Sequence, residues 1–198
     1  ALTQSNEIPN LNYYVTQWNS TAIHSYQGIS VGSHDPNTDV DMGTVTMMYR
    51  AGAEAFNLYD IALDGSDFVA SLEGGTRPPS CRIRFTLDVS PDVAYYGSGV
   101  VNIGGNFGYD DTILLHEYGH FMQSAYGGFS DNPGGGHYVD DSAQDPKLSF
   151  GEGWPTFWGG SAREWAGWDH PQVYLNSTGD STPGIKSFSY DMETYKAG

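Results

Sequence analysis

Cysteine, basic residues and long apolar runs are all scarce in this sequence of 198 residues. The single cysteine, Cys81, excludes an internal disulfide and a cysteine-rich zinc module. No apolar run approaches the roughly 18 residues that suggest a membrane-spanning helix, so we expect no membrane partner. No signal peptide is visible, and because the chain begins with Ala1 we expect that a leader or pro-segment has been removed.

Basic residues are outnumbered three to one, since 8 Lys and Arg stand against 24 Asp and Glu, for a formal net charge of −16. Such a field repels phosphate backbones, so nucleic acid is excluded as a partner. With 38% hydrophobic residues, we expect a single domain over 1–198, monomeric, with an upper lobe at about 1–126 and a lower lobe at 127–198. Many Asp and few Lys are typical of secreted bacterial proteins, so we expect an extracellular location.

Hydrophobic periodicity predicts an α+β fold. Apolar residues at steps of three and four predict a long helix over 44–63, with a short continuation through Leu72. Strict alternation predicts a strand over 81–88, and a second strand over 99–103 follows a loop that contains Tyr95 and Tyr96. Asp110 and Asp111 predict the start of a helix that ends at Gly127-Gly128, and a last helix is expected over about 154–166.

The predicted helix after Asp110 carries His116-Glu117-Tyr118-Gly119-His120, an H-E-x-x-H motif. Residues four apart lie one helical turn from each other, so both imidazoles can reach one metal ion. Glu117 projects beside the same ion without having to bind it. The motif therefore predicts a zinc site with His116 and His120 as ligands.

A catalytic zinc site takes three protein ligands and a water, so a third ligand is needed. A metzincin would carry Gly at position 123 and His at 126, where this chain has Gln123 and Tyr126. Glu152, in a Gly-Glu-Gly-Trp sequence amid bulky apolar residues, is the best candidate. It can instead be a carboxylate at the N-terminus of a helix, and Asp140 or Asp141 is an alternative ligand.

His116 to His120, with Glu152 in a Gly-Glu-Gly-Trp setting 32 residues later, resembles the gluzincins, the thermolysin-like zinc metallopeptidases. The resemblance implies a zincin-like fold, in which a small mixed sheet packs on a long backing helix and on the active-site helix. It implies one catalytic Zn²⁺ held by His116, His120 and Glu152. The segment from Tyr95 to Gly105 is similar to the edge strand that flanks the substrate in such enzymes.

The chain departs from this family in two places. Thermolysin-type enzymes carry an Asp four residues after the ligand Glu, where this sequence has Thr156, so the groups that support the zinc-bound histidines must differ. Thermolysin-like enzymes have a larger C-terminal lobe, and only 46 residues follow Glu152, so we expect that this lobe is reduced or that the chain is cut short.

The leading hypothesis is a zinc-dependent endopeptidase that acts on peptides or proteins. Glu117 would be the general base, and the strand around 99–104 would pair with an extended substrate. An aminopeptidase is a variant without a recognisable clamp for the substrate amine. The alternatives from other classes are a zinc-stabilised, non-catalytic binding or adhesion module and a carbohydrate-binding domain.

Two further sites are expected in loops. A Gly-rich excursion over 128–148 places His137 as a donor to the oxyanion of the reaction, with Tyr138 as the alternative and His170 and Tyr190 as more distant candidates. Alternate acidic and amide side chains predict a solvated turn, with a loose calcium site as the alternative, because the Gly and Glu of an EF-hand loop are missing; these side chains belong to Asp35, Asn37, Asp39 and Asp41.

Overall fold

A computed structural model describes residues 13–25, 44, 46–128, 145–176 and 188–191 of the protein. These residues form an α+β fold, as expected, with a small mixed sheet and three helices. In chain order the elements are β1 (Tyr13–Gln17), α1 (Ala53–Leu72), β2 (Cys81–Phe85), β3 (Ala94–Gly97), β4 (Val100–Ile103), α2 (Asp111–Met122), α3 (Pro146–Trp165), β5 (Val173–Asn176) and β6 (Phe188–Asp191).

The main sheet has four strands in the order β1-β2-β4-β3. β2 pairs in parallel with both β1 and β4, whereas β3 runs antiparallel to β4. β5 and β6 form a separate antiparallel pair. The prediction that the strand around 99–104 pairs with a substrate is therefore wrong, because β4 already has a neighbour on each side. Among the described strands, β3 lies at the edge of the sheet next to β4.

β3 and β4 form a tight hairpin. The sequence had predicted a loop at Tyr95 and Tyr96, followed by a single strand over 99–103. Gly97 is opposite Val100, so the connection is only Ser98-Gly99. Both turn residues have positive φ, 53° and 78°, as a type I′ turn requires to match the twist of its strands. The Ser-Gly pair between Tyr-Tyr and Val-Val was the signal in the sequence for this hairpin.

The long helix α1 begins nine residues later than predicted. Arg50 and Gly52 have φ of 57° and 106°, which a right-handed helix cannot contain. The backbone N–H of Arg50 donates to the carboxylate of Glu54, which covers the start of the helix. Met48, predicted on the buried stripe, is 72% exposed. At its other end the helix passes through Asp64-Gly65 without interruption.

α2 begins as predicted, with Asp110 accepting a hydrogen bond from the backbone N–H of Ile113, and a π-helical turn over Gln123–Gly127 follows it. α3 starts at Pro146, eight residues before the predicted position, and Asp145 caps it. The prediction placed Pro155 in a first turn, but Pro155 lies inside the helix.

α1 and α2 cover one face of the sheet, and α3 packs on both helices. The buried side of β2 carries Cys81, Ile83 and Phe85, as their alternation predicted. α2 and α3 approach each other closely at Gly119, where an added Cβ would lie 2.8 Å from the Cα of Pro155. This contact brings the motif helix directly against the helix that carries Glu152. None of the helices in the described ranges has the length and apolar character to cross a bilayer.

Candidate metal centre

His116, His120 and Glu152 come together between α2 and α3. One oxygen of Glu152, Oε2, lies 3.0 Å from Nε2 of His116 and 3.3 Å from Nε2 of His120. One ligand atom from each of the three residues lies within 4.8 Å of the other two. Glu152 sits in the interior of α3, so its alternative interpretation as a carboxylate at a helix N-terminus is wrong.

Thr156 determines which tautomer the neutral side chain of His116 adopts. The hydroxyl of Thr156 donates to the backbone oxygen of Glu152 at 3.0 Å, and Nδ1 of His116 lies 2.9 Å from the same hydroxyl oxygen. A hydroxyl has a single proton to donate, so this oxygen accepts from Nδ1–H. The neutral imidazole then carries its lone pair on Nε2, the atom that faces Glu152.

A longer chain of bonds fixes His120 in the same way. Pro155 has no N–H, so the backbone oxygen of Gly151 lacks its usual partner within the helix. The side-chain amide of Gln123 donates to that oxygen at 3.1 Å, which turns Oε1 of Gln123 toward Nδ1 of His120, also at 3.1 Å. Because Oε1 can only accept, Nδ1 of His120 carries the proton and Nε2 carries the lone pair.

The two imidazoles thus present Nε2 lone pairs to a carboxylate oxygen, an arrangement that only a positive charge between them stabilises. Burial alone would raise the pKa of Glu152, but when Nε2 of the histidines is protonated, their hydrogen bonds and charge outweigh burial and lower this pKa well below its ordinary value. For His120, burial would lower the pKa, yet Glu152 and Glu117 together raise it. The site therefore favours a cation, either a proton or a metal ion.

Two nitrogens and one carboxylate oxygen are a donor set that Zn²⁺ accepts, and a third protein ligand leaves the fourth position open. The hydrogen bonds from Nδ1 of each histidine are the support that metal-binding histidines ordinarily have. Here an alcohol and an amide give that support in place of a carboxylate. The residues present therefore fit a zinc ion.

Glu117 lies next to this group but is not one of its three members. Its side chain is buried, and burial raises its pKa, while the charges of His116 and His120 and a hydrogen bond from the backbone of Tyr96 act in the opposite direction. Since Tyr96 belongs to β3, the carboxylate is placed between the metal centre and the edge of the sheet.

Several predicted residues lie outside the described part of the chain. These are the oxyanion donors His137 and Tyr138, the alternative ligands Asp140 and Asp141, the acidic residues of the possible calcium site at 35–41, and the side chain of Tyr190. His170 is described but does not belong to the group of metal-ligating side chains.

Gln123 was not predicted from the sequence, and Thr156 was recognised there only as a departure from the family pattern. Gln123 follows His120 by three residues, a spacing that brings side chains together on a helix, and Pro155 marks a carbonyl oxygen without a helical partner. These two local signals were present in the sequence, but the approach of α2 to α3 that joins them was not.

Comparison of the chain with known protein families, with curated proteins and with solved structures finds no match.

Proposed function

We propose that this protein is a secreted zinc-dependent endopeptidase with a zincin-like fold. The observation that carries the proposal is the convergence of both Nε2 atoms on one oxygen of Glu152, with Nδ1 of each histidine already bonded to Thr156 or Gln123. In this proposal His116, His120 and Glu152 hold the ion. Zinc bound there would polarise the scissile carbonyl and lower the pKa of water from 15.7 toward about 7.

Glu117 is the general base of the proposed reaction. Its carboxylate takes a proton from the attacking water and passes it to the nitrogen of the leaving amine. Burial supports this role, because a carboxylate with a raised pKa accepts a proton more readily than an exposed one. A zinc site with a purely structural role would gain nothing from a buried carboxylate beside the ion, which counts against a non-catalytic binding module.

β3 is the strand that would receive the substrate. It pairs only with β4 among the described strands, so its outer side faces away from the sheet. An extended peptide can add to such an edge through main-chain hydrogen bonds, which place few demands on side chains. Because Tyr96 of β3 donates to Glu117, a peptide along this edge lies beside the base.

The test compares hydrolysis of a quenched peptide by the wild type, by Glu117→Gln and by Glu164→Gln, with bound zinc measured in each. Glu117→Gln keeps the shape of the side chain but cannot accept the proton, so we expect hydrolysis to fall by about 10² or more with zinc retained. Glu164 is exposed on α3 and serves as a control with the same change of charge.

A Glu117→Gln variant with wild-type turnover would refute the peptidase mechanism. Zinc that remains stoichiometric after dialysis in Glu152→Ala would refute Glu152 as a ligand. Stoichiometric zinc in the wild type without hydrolysis of any peptide in a diverse library would instead favour the binding module.

A further inference from the structure

Two arginines stand side by side on the face of the sheet opposite the helices. Arg82 and Arg84 alternate along β2 with Cys81, Ile83 and Phe85, which point into the core. Together with the turn after β1 they line a groove of about 320 Å³, whose other walls are Trp18, Asn19, Ser20 and Thr21. The groove is open to solvent and lies on the other side of the sheet from α1 and α2.

Neither guanidinium has a carboxylate partner among the described residues. Arg82 donates from Nε to the hydroxyl of Thr16 at 3.0 Å and from Nη2 to the backbone oxygen of Ser20 at 2.6 Å. Arg84 donates from Nη1 to the amide oxygen of Asn102 at 3.1 Å. All these acceptors are neutral, so the bonds fix the positions of the two charges without compensating them.

This lack of a partner is unusual for this chain, in which acidic residues outnumber basic ones 24 to 8. By contrast, Arg77, in the segment that connects α1 to β2, forms an ion pair with Asp67. The two charges, which no carboxylate of the described residues pairs with, belong to residues two apart on one face of a strand, about 6.6 Å apart at their Cα atoms. They repel each other, and an anionic ligand that binds both removes the repulsion.

We propose that the Arg82–Arg84 groove binds an extended acidic peptide with carboxylates at alternate positions. Residues i and i+2 of an extended peptide have the same separation as Arg82 and Arg84 on β2, so carboxylates at alternate positions match the two charges. Carboxylates accept two parallel bonds from a guanidinium, and the hydroxyl and amide groups of Ser20, Thr21 and Asn19 line the groove beside them.

The test uses the side-chain Nε–H resonances of arginine, because the chain has only five arginines. The probes are acetyl-Gly-Asp-Gly-Asp-Gly-amide, the same peptide with Asn for Asp, and inorganic phosphate. We expect the acidic peptide to shift the resonances of Arg82 and Arg84 and to leave that of Arg77 unchanged. Mass spectrometry confirms that the peptide stays intact during the titration.

Arg84→Gln is the decisive variant, since Arg84 makes one side-chain hydrogen bond whereas Arg82 also holds the turn after β1. We expect its Kd for the acidic peptide to rise at least about tenfold, the loss expected for a charged hydrogen bond. Arg77→Gln has the same net charge as Arg84→Gln, but it should bind the acidic peptide as tightly as the wild type does. Bound zinc is measured in each variant, so the result does not depend on the proposed peptidase activity.

Three results would overturn the proposal. One is equal binding of the Asn peptide, and another is wild-type affinity in Arg84→Gln. The third is phosphate binding as tight as that of the acidic peptide, which would show a site for an adventitious ion only. If Arg84→Gln unfolds, Arg84→Lys replaces it; that variant keeps the charge but loses the paired bonds, and unchanged affinity there would equally refute the paired contact.

Discussion

Thr156→Val removes a single hydroxyl group from the support of the metal centre. Valine keeps the branched shape of threonine, so the packing of α3 is preserved. The hydroxyl accepts from Nδ1–H of His116, whose side chain is only 12% exposed, so the variant leaves a partly buried donor without an acceptor. Such a loss costs about 1–3 kcal/mol.

This free-energy cost of the unpaired donor affects mainly the metal-bound form of Thr156→Val, because zinc binding requires the Nδ1–H tautomer of His116. We therefore expect the zinc Kd to rise by roughly tenfold to a hundredfold, in line with the effect of removing such supporting residues. Competition with a chromophoric chelator at fixed pH measures this change. Thr156→Ser retains the hydroxyl and should bind zinc nearly as tightly as the wild type.

Ser161→Ala is a matched control on the same helix. Ser161 donates to the backbone oxygen of Phe157 with the same four-residue spacing that joins Thr156 to Glu152, but it lies away from the histidines. Its removal should leave zinc affinity unchanged. Equal zinc affinity in Thr156→Val and in the wild type would show that the hydroxyl does not orient His116, and the assignment of its tautomer would be wrong.

Two further predictions concern packing. Gly119→Ala places a Cβ 2.8 Å from the Cα of Pro155, so it should destabilise the protein by about 1–3 kcal/mol in urea unfolding and weaken zinc binding. A Cβ added at Gly153 meets no neighbouring group within 4 Å, so Gly153→Ala should instead raise the free energy of unfolding by up to about 1 kcal/mol. Equal effects of the two variants would contradict the close contact between α2 and α3 at Gly119. Burial raises the pKa of Cys81, so its thiol should react with a disulfide reagent only after unfolding, and rapid labelling of the native protein would disprove its burial.

The first part of α1 shows where periodicity fails as a guide. The apolar steps continue back to residue 44, but Arg50 and Gly52 have positive φ, and a hydrophobic pattern contains no information on backbone dihedral angles. The strand over 81–88 was predicted three residues too long, but the burial of Cys81, Ile83 and Phe85 was predicted correctly because alternation and burial on one face are the same property.

The metal centre divides in a similar way. The approach of His116 to His120 was predictable because a spacing of four on a helix is local geometry. Glu152 was predictable because it is the only Glu between Glu117 and Glu164 and stands amid bulky apolar residues, where an unpaired carboxylate is costly. The role of Gln123 depends on a carbonyl oxygen that Pro155 leaves free on another helix. Pro155 was predicted in a first helical turn, where proline usually occurs, but it lies inside α3. Only the contact between α2 and α3 shows that the side chain of Gln123 replaces the missing N–H of Pro155.

The three converging ligands also have a consequence for folding. In the proposed metal centre, an ion held by α2 and α3 would be a cross-link that closes a loop of 32 residues between His120 and Glu152. In a chain with one cysteine, no disulfide within the chain can do this. A cross-link of that span stabilises a fold by roughly 4 kcal/mol in the chain-entropy description. For a domain of this size we expect a chelator to lower Tm by about 8–16 °C, and zinc to restore it.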